Sequence, residues 1–276
     1  MSRFAPYSLK GRTVVVTGAA GGLGQEFCKL LLGKGATVVA ADLADIPADL
    51  GNNGVFKPTQ LDVTDPAGCR ELANDIQPDV WINNAGILGA GQVSEQDGES
   101  MAKVLSVNLG GVINGTMAAV SVMKPKGEGR ILNVGSFASW TPAPGLAVYC
   151  ATKHGVRAFT VATAAELASS GIKFSLLCPE GIWTPMLYES VKDGSAQMSF
   201  TARKLLMPAE VAQAGISLIE RGLLIGSIPK GRAVLARTVG LSATAVVKMT
   251  PYLARAGKAG QRRMRDRLAG ETGSGN

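Results

Sequence analysis

Five consecutive residues, Thr13-Val14-Val15-Val16-Thr17, run without polar alternation straight into a glycine-rich turn, Gly18-Ala19-Ala20-Gly21-Gly22-Leu23-Gly24. A strand that is apolar on both faces must be covered on both, and the folds that do this are parallel sheets with helices packed above and below. A helical pattern follows from about Gly22 to Leu32, and Ala36 to Asp42 reads as a second strand, which makes the opening a βαβ unit. The alternation continues, with strands expected over 55–61, 79–82, 130–134 and 173–177 and helices over 66–76, 95–123, 148–169 and 208–222. No shift in composition marks a second domain before about residue 225. The pattern predicts one α/β domain over residues 8–228, with a poorly periodic stretch at 184–206 placed to act as a lid. Ala233-Val234-Leu235 reads as a last strand. Residues 229–276 form a basic helical C-terminal extension, with disorder expected over Gly270–Asn276.

With 276 residues, 46% of them hydrophobic, the chain can bury a sizeable core. No uninterrupted apolar run reaches the roughly 18 residues of a membrane span, and Met1 to Lys10 lacks an apolar signal core, so a cytoplasmic location is the expectation. Cys28, Cys69, Cys150 and Cys178 are scattered through apolar segments and read as buried, unpaired thiols. The single histidine, His154, has no ligand cluster or nucleophile pattern around it, which disfavours a zinc site and a Ser-His-Asp hydrolase. The net charge of +7 is concentrated in the tail: from Lys230 onward there are ten basic and two acidic residues, while the body is near neutral.

The glycine turn sits between the first strand and the first helix, where bare backbone can approach a pyrophosphate and the helix N-terminus faces the anion with free N–H groups. Gly18, Gly22, Leu23 and Gly24 are the candidate contacts. Asp42 ends the second strand, where a carboxylate can accept hydrogen bonds from ribose hydroxyls and would repel a 2′-phosphate. Neither Gly21 nor Leu43 beside it is basic, so NAD is favoured over NADP.

Ser136 and Tyr149-Cys150-Ala151-Thr152-Lys153 supply a hydroxyl, a phenol and an ammonium at spacings that can converge on one carbonyl carbon. Tyr149 and Lys153 share a helix face, and a nearby cation favours the phenolate. Tyr188 and Lys192 repeat the spacing but follow a Thr-Pro break in an expected loop, so they read as a decoy. His154, next to Lys153, points away from the Tyr149 face.

In this order the chain resembles the short-chain dehydrogenase/reductase family, in its compact single-domain subgroup. The resemblance covers about residues 10–225 and rests on Thr17-Gly18-x-x-x-Gly22-x-Gly24, Asp62-Val63, Asn83-Asn84-Ala85-Gly86, Asn108, Ser136, Tyr149-x-x-x-Lys153 and Pro179 to Thr184. It implies a Rossmann-type doubly wound parallel sheet and an NAD-dependent oxidoreductase interconverting secondary alcohols and ketones. It assigns Asp62 and Val63 to the adenine, and Asn84, Ala85 and Gly86 to the adenosine ribose. Tyr149 becomes the general acid/base, Lys153 the ribose ligand beside it, Ser136 the substrate-oxygen ligand and Asn108 the anchor of a water in a proton relay. Pro179, Ile182 and Thr184 would meet the nicotinamide end. The family pattern has Pro-Gly where this chain has Pro179-Glu180, so a carboxylate stands beside the reactive ring.

The substrate residues implied by the resemblance are Leu88, Phe137, Ala138, Trp140, Leu146, Trp183, Met186 and Leu187, with Ser136. No lysine or arginine is among them, which points to a small hydrophobic alcohol or ketone. The family pattern implies a homodimer or homotetramer paired through the two long helices. For the tail, a helix packed on the body or a sister subunit and an interfacial helix on anionic lipid both remain open, the second giving a membrane-peripheral protein. Nucleic-acid contact is not expected, because no reader motif accompanies the arginines. The rival reading is a catalytically silent NAD-binding regulatory protein of the same fold. An epimerase-like relative fits less well, since those chains are longer and space their glycines differently.

Overall fold

The computed structural model describes residues 6–47, 50, 55–193, 196–202 and 204–273. Seven parallel strands form one sheet in the order β3-β2-β1-β4-β5-β6-β7. They are β1 (Thr13–Thr17), β2 (Thr37–Asp42), β3 (Phe56–Gln60), β4 (Val80–Asn83), β5 (Gly129–Val134), β6 (Ile172–Pro179) and β7 (Ile225–Ile228). The helices are α1 (Gly22–Gly33), α2 (Pro66–Ile76), α3 (Gly98–Leu105), α4 (Gly111–Lys126), α5 (Ala147–Glu166), α6 (Pro185–Asp193), α7 (Pro208–Arg221), α8 (Lys230–Gly240) and α9 (Ala243–Gly273). This is the doubly wound, Rossmann-type arrangement, and its strand order reverses between β1 and β4.

The unbroken apolar character of β1 is used on both faces. Val14 and Val16 enter one core with Phe27 and Leu31 of α1 and Val211 and Ile216 of α7. Val15 enters the other, with Val39, Cys69 and Ala73 of α2, and Ala118 and Met123 of α4. Each fully buried valine contributes about 2 kcal/mol, which polar alternation would forfeit on one side. All four cysteines are buried and unpaired. Burial pushes the Cys28 thiol up to about 12 and the Cys69 thiol up to about 11, so both stay protonated.

Helix starts follow their caps. Asp65 accepts from the Ala67 N–H at 2.8 Å, with Pro66 in the first turn of α2. Asp97 accepts from the Ser100 N–H at 2.7 Å, which starts α3 at Gly98 and not at the expected Glu95. A π turn, Ser106–Gly110, joins α3 to α4. The joined helix Gly98–Lys126 is long and apolar enough by composition to cross a membrane, but Val112, Ala118, Ala119 and Met123 are packed into the cores beside the sheet.

Between the sheet and the α4–α5 pair lies a buried polar lattice. The Trp81 indole N–H donates to Asn83 Oδ1 at 2.8 Å, and Asn83 Nδ2 donates to Asn133 Oδ1 at 2.8 Å and Thr116 Oγ1 at 3.1 Å. Asn133 Nδ2 donates to Thr160 Oγ1 at 2.9 Å. Strands β4 and β5 are thereby keyed to α4 and α5, which carry the floor of the site.

The end of the chain departs from expectation. The last strand is Ile225–Ile228, paired with β6, while Ala233-Val234-Leu235 lies in α8. Gly226 and Ser227 hide the strand from a hydrophobic pattern. The glycine suits close packing there: a Cβ would lie 2.7 Å from Leu218 Cδ2 of α7, which would have to shift. Helix α9 continues to Gly273, past the expected onset of disorder at Gly270, and residues 274–276 lie outside the described ones.

The 184–206 stretch holds α6 and a 3-10 turn at Gln197–Phe200, with residues 194, 195 and 203 outside the described ones. Trp183 N–H to Leu206 O at 2.8 Å and Leu206 N–H to Gly181 O at 3.0 Å close its base. The tail is docked on this segment. Gly257 and Gly260 lie against the carbonyls of Gln197 and Phe200, and the buried Gln261 donates to Ser190 O at 2.9 Å.

Candidate active site

The strand-order reversal opens a crevice at the C-terminal ends of β1 and β4. On one side is the glycine turn, with Gly18 at φ +66°. A Cβ at Gly18 would lie 2.7 Å from Ala85 Cα, and one at Gly24 would strike the Gly18 carbonyl. The Asn84 amide fastens the turn from across the crevice, donating to Thr17 O at 2.9 Å and Gly18 O at 3.1 Å. Helix α1 opens at Gly22 with no side chain capping it, so the first-turn N–H groups, Leu23 included, face the crevice end of the helix as an anion cradle.

Asp42 ends β2, its carboxylate accepting from Ala20 N–H at 2.9 Å and Ala44 N–H at 3.0 Å. Leu43 beside it is 60% exposed and offers no cation. Asp62 accepts from the Thr64 N–H and hydroxyl, at 2.8 and 2.7 Å. The buried Val63 is wedged against Gly111, and its carbonyl accepts from Asn114 Nδ2 at 3.0 Å. At the far end of the crevice Thr184 packs on Gly22, where a Cβ would meet Thr184 Cγ2 at 3.4 Å. Ile182, three residues beyond Pro179 at the end of β6, bridges to Leu206. An uncapped helix start, bare glycine backbone and a carboxylate at the end of β2 fit a nicotinamide dinucleotide.

The chemical groups meet at the other side of β4 and β5. Ser136 follows β5 and caps a 3-10 turn, accepting from Ala138 N–H at 3.1 Å. Its side chain also hydrogen-bonds the Tyr149 hydroxyl. Lys153, one turn along α5, is buried, donates to Val134 O at 2.9 Å and lies 5.6 Å from the centre of the Tyr149 ring. Gly86 is where Asn108 and Lys153 come together. A Cβ there would lie 3.2 Å from Asn108 Oδ1 and 3.8 Å from Lys153 Nζ. Asn108, fully buried in the π turn, accepts from Ile87 N–H at 2.8 Å and donates to Ile87 O at 2.9 Å. His154 Nδ1 lies 2.9 Å from Cys150 O, turned onto its own helix.

Burial governs the ionisation of the pair. Desolvation pushes Tyr149 up to about 12 against the opposing hydrogen bond from Ser136, and pulls Lys153 down to about 8. Dryness thus governs both groups, and the ammonium-to-phenol pull expected from the spacing does not enter the Tyr149 shift.

Beyond Ser136 a chamber opens whose walls come from four parts of the chain. Phe137, Ala138 and Leu146 line it from the body, and Glu180 and Gly181 from the loop after β6. Met198 comes from the lid, and Leu235, Val246 and Leu253 from α8 and α9.

A family model described as short chain dehydrogenase matches residues 12–194. The chain belongs to the short-chain dehydrogenase family. A 3-beta-hydroxysteroid dehydrogenase of Comamonas testosteroni is 34% identical over 224 residues, covering 74% of this chain and 87% of the relative. The bovine 15-hydroxyprostaglandin dehydrogenase [NAD(+)] is 32% identical over 250 residues, covering 80% and 91%. Among solved structures, a protein of Agrobacterium tumefaciens assigned as a 2-deoxy-d-gluconate 3-dehydrogenase, with bound NADP, superposes with a TM-score of 0.71 at 28% identity, covering 82% of this chain and 98% of that one. The present dehydrogenase is accordingly an oxidoreductase acting on CH–OH groups.

In this dehydrogenase the substrate residues named from the sequence divide. Ser136, Phe137, Ala138 and Leu146 line the chamber. Trp140 lies outside its lining, its ring sandwiched between Arg157 and Arg237 at 4.4 and 4.3 Å. Leu88 borders a separate hollow with Val104 and Val148. Trp183 packs on Tyr188 with ring centres 4.1 Å apart, Leu187 is buried beneath them, and Met186 is 44% exposed on α6. The sequence reading missed Arg232, Leu235, Val246, Met249 and Leu253 as chamber walls. No motif marks them, and the only hint is that apolar residues recur among the arginines of the tail. The Glu180 carboxylate turns away from solvent and pairs with Arg232, Nε to Oε1 at 2.8 Å.

Proposed function

We propose that this dehydrogenase uses NAD to interconvert an apolar secondary alcohol and its ketone, with Tyr149 as the general acid/base. The observation that carries the reading is the convergence of Ser136, Tyr149, Lys153 and Asn108 at the mouth of the crevice, with a largely apolar chamber on the substrate side.

Gly18, Gly22, Leu23 and Gly24 would hold the pyrophosphate, Asp42 the adenosine ribose, Asp62 and Val63 the adenine, and Asn84, Ala85 and Gly86 the inner rim. Pro179, Ile182 and Thr184 would border the nicotinamide end. When bound, NAD supplies the hydride acceptor, and its oxidised ring adds a positive charge to the site. The remaining work falls to the chain. Ser136 and Tyr149 hold the substrate oxygen, and the Tyr149 oxygen takes the hydroxyl proton in oxidation and returns it in reduction. Lys153 carries the charge that steadies the phenolate, and Asn108, which borders Gly86 beside Lys153, would anchor the water of a proton relay. Asp42, with no cation beside it, is the support for NAD over NADP: a second negative group there would face the carboxylate unpaired.

Tyr149→Phe should lower kcat by at least about a hundredfold, the lower end of acid/base contributions, while NAD binding persists. Because burial holds the phenol near 12, wild-type oxidation should climb with pH through the neutral range, and the variant should lose that dependence. Turnover near the wild-type rate in the variant would contradict the assignment. A dimer through α4 and α5 is also proposed, supported by exposed Met117 and Val161 on those helices. Sedimentation of a monomer at working concentration would contradict it.

A further inference from the structure

The chamber wall carries one guanidinium among its described residues, that of Arg232 on α8. It does not stand free. Its Nε and Nη2 both reach Glu180 Oε1, at 2.8 and 2.6 Å, and Nη2 donates to Thr201 Oγ1 of the lid at 3.3 Å. Exposure is unequal, 9% for the Glu180 side chain and 45% for that of Arg232. A carboxylate that sheltered requires a partner, whereas the arginine is accessible to ligand and solvent. The backbone of Glu180 is fixed as well, its N–H donating to Ile228 O at 2.9 Å. Glu180 is therefore a rigid acceptor that occupies the guanidinium on a wall whose other side chains are apolar or neutral hydroxyls, such as Phe137, Leu146, Leu253 and Thr250.

We propose that Glu180 is a specificity-determining residue: by occupying Arg232 it makes the chamber accept an uncharged apolar alcohol or ketone and refuse one whose far end is a carboxylate. With Glu180 in place, an incoming carboxylate meets a cation whose Nε and Nη2 are already engaged and a second carboxylate beside it. With Glu180 neutral, the same guanidinium becomes an anion anchor in largely apolar surroundings, where such a pair is strong. The inference rests on the alcohol oxidoreductase reading for its substrate class, but the pairing that drives it does not depend on turnover.

The test compares methyl octyl carbinol with the same carbinol carrying a terminal carboxylate, using the full-length chain with NAD. Wild type should prefer the neutral alcohol. In Glu180→Gln the ratio of kcat/KM should move at least about tenfold toward the carboxylate, through KM. Glu180→Gln with Arg232→Gln should bring the ratio back. Arg232→Gln alone, which leaves Glu180 bare on the wall, should move the ratio the other way and keeps the test open if Glu180→Gln does not fold. An unchanged ratio in Glu180→Gln, a shift that survives in the double variant, or a shift toward the carboxylate in Arg232→Gln would each overturn the proposal. Calorimetric binding of methyl octyl ketone and its terminal carboxylate to the NAD-saturated protein reads the same preference without chemistry. If wild type oxidises neither alcohol, the alcohol reading fails while the binding ratio still decides the role of Glu180.

Discussion

At the residue scale the site is built against its own stability. Lys153 is an amine buried beside Val134 O, and burial holds it near 8, below its ordinary 10.5. The folded pKa lies below the unfolded one, so between about 8 and 10.5 the unfolded chain holds the extra proton and stability rises with pH. Below that window both states are charged and the folded state carries the whole burial cost. Lys153→Met should therefore stabilise the protein at pH 7 by about 1–3 kcal/mol, with the gain shrinking towards pH 10 and turnover abolished. Urea unfolding of both proteins at the two pH values reads this, and a variant less stable than wild type at pH 7 would contradict it. The Tyr149, Lys153 and Ser136 trio was legible from spacing because its members lie on one strand end and one helix face. Their ionisation was not, since dryness depends on what packs around them.

At the scale of elements, the sheet and its crevice follow from local patterns, and the exceptions have physical causes. The strands before residue 184 were expected where they lie, whereas the helix expected over 95–123 is α3 and α4 joined by a π turn. Strand β7 was not expected, because Gly226 and Ser227 replace the apolar residues a strand would show, one of them to admit Leu218. What pattern reading also cannot see is the polar lattice from Trp81 through Asn83 and Asn133 to Thr160, which fixes α5, and hence Tyr149, relative to β4 and β5. Asn133→Ala takes from Asn83 Nδ2 its shortest acceptor, leaving Thr116 Oγ1 and Val112 O, breaks the link to Thr160 and opens space in a core. It should cost about 2–4 kcal/mol of stability, measured by denaturant unfolding. A loss below about 0.5 kcal/mol would show that the lattice does not brace the site.

At the scale of the whole molecule, the nucleotide half and the substrate half of the site come from different stretches of chain. The crevice is complete by residue 184, whereas the chamber needs the lid and the tail. That division explains why the sequence was transparent about chemistry and opaque about substrate: Arg232, Leu235 and Leu253 reach Ser136's chamber only through tertiary packing. Glycines 257 and 260 seat α9 on the lid, so Gly260→Leu should unseat it. KM for an apolar alcohol should then rise by about tenfold or more, with NAD affinity within about twofold of wild type. Equal losses of both would mean that the two halves are not separable. The most direct test of the whole account is NADH formation on mixing the full-length protein with NAD and an apolar secondary alcohol, either protiated or deuterated at the carbinol carbon. The account predicts NADH in step with ketone, a slower rate for the deuterated alcohol, and both products formed at least about a hundredfold more slowly by Tyr149→Phe. Tight NAD binding with no NADH from any secondary alcohol, or equal rates from wild type and Tyr149→Phe, would contradict it.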